Sequence, residues 1–171
     1  MTRRTKTYIA GDWDGDSGAI ERLYEWKNSG HLTLDFNDAH SLTQARDGSL
    51  NCSIKRSLTE RLNASKTFVL IVGSNTKTVK SGGCQLCDSY NSWTKSCSKG
   101  HVVDYRSYIE YEFEKAIRDD LRIVILYNAA SVNKSKCPDS IKTFGTHTAM
   151  WKIQDGRYLW DYLAAKKALE P

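Results

Sequence analysis

Proline and long apolar runs are both scarce in this chain of 171 residues. Its two prolines exclude collagen-like and proline-rich low-complexity proteins. The longest apolar runs, such as residues 68–72, are far shorter than the roughly 20 residues that a membrane-spanning helix needs. No apolar segment follows the basic residues at the start of the sequence. We therefore expect no secretory signal, no membrane partner and a cytoplasmic location.

The sequence contains no long tract of like-charged residues. The net charge is +5, and no five like charges follow one another. Such a mild, scattered excess can attract an anionic ligand but predicts no specific nucleic-acid partner. Hydrophobic residues make up 40% of the chain, which is enough for a core, and the length predicts one domain over residues 1–171.

Several nucleotide and metal motifs are absent. The sequence contains neither G-x-G-x-x-G after its first predicted strand nor a Walker A motif. Asp12, Asp14 and Asp16 alternate like the start of a calcium loop, but Leu23 stands where the bidentate glutamate belongs. We interpret this stretch as a solvated loop with a helix cap. A phospho-receiver domain needs an aspartate at the tip of its central strand, where residues 73–75 read Gly-Ser-Asn.

What the sequence does contain is an alternation of apolar strands and amphipathic helices. Continuous apolar runs without alternation indicate strands that are buried on both faces, as in a parallel sheet. Strands separated by helices predict a doubly wound α/β fold of three layers and about five strands. We predict strands at residues 7–10, 32–36 (near an edge), 67–73, 122–127 and 148–151, and helices at 17–28, 51–63, 105–119 and 158–169.

Three of the five cysteines fall in one long stretch of little periodicity. An odd number of cysteines without a signal peptide argues against a disulfide framework. A C-x2-C-x9-C-x3-H pattern matches a closed, structural Zn²⁺ site, which would order an insert at residues 77–104. The alternative is three free thiols and a surface histidine at accidental spacing. The pattern is formed by Cys84, Cys87, Cys97 and His101.

The third predicted helix carries three glutamates. A step of 100° per residue places Glu112 and Glu110 at opposite borders of the apolar arc, so geometry alone does not choose between them as a functional carboxylate. Glu114 points away and is expected to pair with Arg118. His40, after the second predicted strand, is interpreted as a loop or packing histidine.

Four blocks of the sequence resemble the TIR-like domains of the Thoeris antiphage signalling subunits. The most specific are a Ser-Lys…Asn-Thr block and a helix with the pattern aromatic-x-x-x-Glu-x-x-x-Ala. The cysteine-rich insert before that helix is also familiar from one branch of the family. The resemblance covers about residues 5–130, and its blocks are residues 6–12, 36–40, 65–76 and 108–116.

This resemblance implies a flavodoxin-like TIR domain that cleaves NAD⁺ at the nicotinamide–ribose bond. Some members cyclise the ADP-ribose product into a messenger for a partner effector, and many self-associate on activation. The family pattern Glu-(Ile/Phe)-x-x-Ala falls on Glu112, which would therefore be the catalytic residue rather than Glu110. Tyr108 stands where the family often has tryptophan.

The substrate pocket is expected outside the carboxyl ends of the strands. Most of its predicted residues come shortly after one of three predicted strands, and one, Tyr108, lies near the start of the third predicted helix. The full set is Gly11, Asp12, Trp13, Asp38, Asn75, Thr76 and Tyr108. Two further interpretations stay open beside the enzyme. One is a non-catalytic TIR-like interaction module, and the other is a receiver-like signalling domain.

Overall fold

The computed structural model describes residues 4–39 and 50–170, so the prediction for His40 lies outside the described residues. The described residues form eight strands and four α-helices. In order they are β1 (Lys6–Ala10), α1 (Ser17–Asn28), α2 (Asn51–Asn63), β2 (Ser65–Val72), β3 (Tyr90–Asn91), β4 (Ser96–Cys97), α3 (Tyr108–Arg118), β5 (Arg122–Tyr127), β6 (Thr146–Ala149), β7 (Trp151–Gln154), β8 (Arg157–Trp160) and α4 (Tyr162–Leu169).

A parallel sheet lies at the centre of the described chain. Its four strands run in the order β1-β2-β5-β6, and every neighbouring pair is parallel. The six residues of β2 from Thr67 to Val72 pair with the whole of β5. Both strands are buried on both faces because their side chains form continuous apolar runs.

Helices cover both faces of this sheet. The apolar sides of α2 and α3 pack on one face, against alternate residues of β1, β2 and β5. Those of α1 and α4 pack on the other face. The predicted three-layer, doubly wound parallel fold is therefore confirmed. Within the described ranges, no helix is both long and apolar enough to cross a membrane.

The second predicted strand, residues 32–36, is wrong as a regular strand. The described chain is extended there, and a single parallel bridge joins Thr7 to Asp38. The Thr7 N–H donates to the Asn37 carbonyl at 2.7 Å, and the Ala39 N–H donates to the Thr7 carbonyl at 3.0 Å. The segment does lie beside β1, so its position near an edge is right.

The C-terminal region also differs from the prediction. The last parallel strand is β6, which ends before the predicted residues 150–151. An antiparallel hairpin, β7 and β8, follows it, so residues 158–160 are strand where a helix was predicted. α4 begins at Tyr162, where Asp161 Oδ1 accepts a hydrogen bond from the Ala164 N–H at 3.0 Å and caps the helix.

The cysteine-rich insert has little regular structure of its own. It contains a 3₁₀ turn at Cys84–Leu86 and the two-residue hairpin of β3 and β4. Within the insert, the Cys84 N–H donates to the Asp104 carbonyl at 2.9 Å, and the Tyr108 N–H at the start of α3 donates to the Ser81 carbonyl of the insert at 2.8 Å.

Candidate active site

α3 begins at Tyr108, three residues later than predicted, because a capping box fixes its start. Ser107 Oγ accepts from the Glu110 N–H at 3.2 Å, and Glu110 Oε2 accepts from the Ser107 N–H at 2.8 Å. The side chain of Glu110 therefore caps the N-terminus of α3. Glu114 forms an ion pair with Arg106 at 2.5 Å, so the predicted pairing with Arg118 is wrong.

Glu112 faces the sheet and is more deeply buried than a border position implies. Its exposed fraction is 6%. Tyr8 in β1 donates a hydrogen bond from its hydroxyl to Glu112 Oε1 at 2.6 Å. Because a buried carboxyl group needs a polar partner, Tyr8 explains how the glutamate fits into an otherwise apolar interface.

A second charge lies close to this pair. Arg61 of α2 is 7% exposed. Burial raises the pKa of Glu112 to about 7, against the lowering effects of the Tyr8 hydrogen bond and the positive charge of Arg61. The same arginine acts on Tyr24, whose pKa is raised, chiefly by burial and then by the nearby charge of Asp38.

Asp38, a predicted pocket residue, belongs to the same region. The Tyr24 hydroxyl donates to Asp38 Oδ2 at 2.9 Å. We call the set of side chains linked by these hydrogen bonds and by the charge of Arg61 the buried polar cluster. Its members are Tyr8, Arg61 and Glu112, which are buried, and Tyr24 and Asp38, which are partly buried.

Sequence reasoning missed three members of this cluster, but one left a signal. In α2, Ile54, Leu58 and Leu62 form the predicted apolar stripe, and Arg61 lies three residues after Leu58 on the same side. A charged residue on such a stripe indicates a buried carboxylate partner. Tyr8 and Tyr24 gave no signal, because an aromatic residue at an apolar position reads simply as core.

The loop after β1 brings two predicted pocket residues together. A Cβ on Gly15 would lie 2.5 Å from Asp12 Oδ2 and 3.5 Å from Asn75 Nδ2, so both side chains border this glycine. Trp13 is exposed on the same loop. Gly11 lies against Ile71, on the α1 face of the sheet.

Thr76 and Asp16 have structural contacts instead of facing a cleft. Thr76 Oγ1 accepts from the Gly73 N–H at 2.8 Å and lies 3.5 Å from Asp16 Oδ2. Asp16 Oδ1 accepts from Asn128 Nδ2 at 3.0 Å. Asp16 does occupy the predicted N-cap position of α1, but it is buried instead of solvated and its side chain makes no cap hydrogen bond.

Tyr108 lies where α3, α2 and the insert meet. Its hydroxyl donates to Asn51 Oδ1 at 2.8 Å, and burial raises its pKa to about 12. Gly82, with φ of +100°, leaves room for the ring, because a Cβ there would lie 2.5 Å from Tyr108 Cδ1. The predicted pocket residues thus divide among the loop after β1, the buried polar cluster and this junction.

The predicted zinc ligands share one small cavity. Its volume is about 20 Å³, which is room for one water-sized or ion-sized group. The described residues include no three Cys, His, Asp or Glu side chains that already converge as a metal requires. Residues that line this cavity include Cys84, Cys87, Cys97 and His101.

One comparison with known proteins bears on this arrangement. The family model described as Thoeris protein ThsB, TIR-like domain, matches residues 8–81, and no curated protein matches the chain. The matched range contains the end of β1 and the whole of α1, α2 and β2, with Tyr8 and Arg61, and it ends before Glu112. It points to a TIR-type role in antiphage defence. The resemblance drawn from the sequence is confirmed: residues 8–81 are similar to the TIR-like domain of the Thoeris protein ThsB.

Proposed function

We propose that this chain is a cytoplasmic enzyme that cleaves NAD⁺ at its nicotinamide–ribose bond, with Glu112 as the catalytic carboxylate. The product is an ADP-ribose derivative, linear or cyclic, that activates a partner effector in antiphage defence. The family match supports the class of protein. The observation that carries the assignment of Glu112 is its buried hydrogen bond with Tyr8, since carboxyl groups with strongly perturbed environments concentrate at functional sites.

One carboxylate is sufficient for this chemistry. The nicotinamide ring of NAD⁺ is positively charged and leaves as a neutral molecule, so its departure needs no general acid. The ribose then carries an oxocarbenium-like positive charge, which an adjacent carboxylate stabilises. Attack by water gives ADP-ribose, and attack by a hydroxyl group of the same molecule gives a cyclic product. Exclusion of water favours the cyclic product.

The environment of Glu112 fits this role. The low dielectric around the buried carboxylate strengthens its interaction with a developing cation. The Tyr8 hydroxyl fixes the position of Oε1. Arg61 and Tyr8 both lower the pKa of Glu112 against the effect of burial, so a substantial ionised fraction remains near neutral pH.

Burial also bears on activation. A ribose can meet a carboxyl group that is 6% exposed only after the buried polar cluster has opened. We propose that self-association opens it, so that the isolated chain rests in an inactive state. The loop residues Gly11, Asp12 and Trp13, together with Asn75, would then bind the rest of the dinucleotide, with backbone donors for phosphate and the Trp13 indole for stacking.

Nicotinamide release tests this proposal. Purified chain is incubated with NAD⁺, with and without lysate from phage-infected cells, and the products are identified by mass. The proposal predicts nicotinamide together with an ADP-ribose-derived product in the presence of the trigger. No release above that of a chain-free control, under either condition, would contradict it.

The second candidate is a non-catalytic interaction module, and the insert favours it. Trp93 is 96% exposed and Val102 is 90% exposed, and Leu86 is also exposed in the same insert. Several large exposed apolar side chains in one segment are a feature of binding surfaces. A chain that releases no nicotinamide but captures a partner, and loses that partner on Trp93→Ser, would support this alternative.

A further inference from the structure

A fifth potential metal ligand lines the small cavity of the insert. Cys52 comes from the first turn of α2, more than thirty residues before the C-x2-C pattern. The sequence pattern did not include it, because no local spacing connects it to the insert. The cavity therefore has four sulfur atoms and one imidazole around it, which is one donor more than a tetrahedral site needs.

Hydrogen bonding places Cys52 next to Cys84. Asn51 Nδ2 donates to the Gly83 carbonyl at 3.1 Å, so the residues that directly precede the two cysteines are joined. Cys52 and Cys84 also line a second, larger cavity on the neighbouring surface together. Cys52 and Cys84 therefore line the same two cavities, although they come from different elements.

A backbone hydrogen bond is directed at the Cys84 sulfur. The Asp104 N–H donates to Cys84 Sγ at 3.1 Å, a contact of the kind that orients and stabilises metal-bound sulfur. Lys55 Nζ lies 3.3 Å from Asp104 Oδ2, and the guanidinium of Arg106 lies 2.8 Å from the same oxygen. These two cations hold Asp104, whose N–H contacts the sulfur, in place.

We propose that Cys52, Cys84, Cys87 and Cys97 bind one structural Zn²⁺ ion, and that His101 is not a ligand. Cys52 is partly buried on a helix, whereas His101 is exposed. Because the donors do not yet converge, binding requires the thiols to turn into the cavity and to lose their protons. Four thiolates fill a tetrahedral zinc site and leave no position for substrate, so the ion has a structural role.

Such a site would attach the insert to the body of the domain. Cys52 lies beside Asn51, which accepts the hydrogen bond from the Tyr108 hydroxyl. The metal would therefore fix the junction of the insert, α2 and the first residue of α3. The proposal is independent of NAD⁺ cleavage, because it concerns metal content and stability.

Two variants of the full chain separate Cys52 from His101. Wild type, Cys52→Ser and His101→Ala are purified without chelator, and their zinc content and affinity are measured. We expect one zinc per chain in wild type and in His101→Ala. In Cys52→Ser the affinity should fall by at least the roughly 10–100-fold that is typical for losing a residue that only supports a ligand.

Cobalt substitution in the wild type covers the case in which Cys52→Ser does not fold. A tetrahedral spectrum of four thiolates supports the proposal. A spectrum of three thiolates and one nitrogen would overturn it, as would a wild type without bound metal. Retention of wild-type zinc affinity by Cys52→Ser, with loss of zinc in His101→Ala, would also overturn it and favour His101 as the fourth ligand.

Discussion

At the scale of single residues, the protonation of Glu112 links pH to stability. Its pKa is about 7 in the folded chain and 4.5 as a reference value. The folded state therefore binds this proton more tightly, so its contribution to stability is present below pH 4.5 and is lost as the pH rises to about 7. Above that range, the folded chain holds a buried charge at a cost.

Glu112→Gln removes this dependence while keeping the shape of the side chain. Relative to wild type, we expect the variant to gain on the order of 2–3 kcal/mol in the free energy of unfolding between pH 4.5 and pH 8. Urea unfolding at the two pH values measures the difference. An equal difference between variant and wild type at both values would contradict the buried, proton-binding state of Glu112.

The Tyr8 hydroxyl should control the pH dependence of the reaction. Its hydrogen bond lowers the pKa of Glu112, and the ionised carboxylate is the form that stabilises a cation. Tyr8→Phe is therefore expected to move the acidic limb of the pH–rate profile of nicotinamide release to higher pH. Tyr158→Phe, which alters an exposed ring, serves as the control and should leave the profile unchanged.

The sequence distinguished the glutamates only in part. Periodicity left Glu110 and Glu112 equivalent, and the family resemblance chose Glu112. The structure adds the physical reason that Glu110 caps α3 whereas Glu112 meets Tyr8. This contact joins residues 104 positions apart, so no local pattern of the sequence can reveal it.

At the scale of elements, Gly73 shows how tightly the end of β2 meets the start of α1. A Cβ at Gly73 would lie 1.9 Å from Asp16 Oδ1, and Asn128 holds that carboxylate in place. Gly73→Ala should therefore destabilise the fold by about 1–3 kcal/mol.

A matched glycine substitution provides the control for this prediction. A Cβ at Gly18, inside α1, would have no neighbour within 4 Å. Gly18→Ala should raise stability by about 0.4–1 kcal/mol, because alanine restricts the unfolded chain and suits a helix. Thermal unfolding of both variants tests the pair, and a Gly73→Ala variant as stable as wild type would contradict the described packing.

Elements with strong periodicity were predictable. The bounds of α2 and β5 agree with the predictions, because each has a continuous pattern that ends at a clear break. The extended segment before Asp38 alternates like a strand, but only one bridge joins it to β1. Residues 158–160 have apolar side chains that suit either a helix or a strand, and pairing with β7 decides the outcome.

At the scale of the whole molecule, the closed state of the buried polar cluster predicts that activity depends on assembly. If self-association opens the cluster, nicotinamide release per chain should rise with chain concentration in the presence of the trigger. Activity and molecular mass, measured over the same dilution series, should change together. Full activity in a strictly monomeric sample would contradict this part of the account.

The sequence predicts the three layers directly, but it does not predict on which face of the sheet each pocket residue lies. Buried runs separated by helices dictate a parallel sheet covered on both faces. The carboxyl-end rule names the edge of the sheet where ligands bind, but it does not say on which side of that edge a loop folds. In the structure, Gly11 lies on the face of the sheet that α1 covers, and Glu112 lies on the face that α2 and α3 cover.

The proposed function requires that the carboxylate of Glu112 performs NAD⁺ cleavage. The most direct test compares nicotinamide release by wild type, Glu112→Gln and Glu114→Gln under the triggering condition, with folding checked by circular dichroism. Glu114 is the matched control because its carboxylate lies on the exposed side of the same helix, paired with Arg106. We expect Glu112→Gln to lower the rate by about 100–1,000-fold and Glu114→Gln to leave it within about twofold. A folded Glu112→Gln variant that turns over NAD⁺ at the wild-type rate would contradict the account.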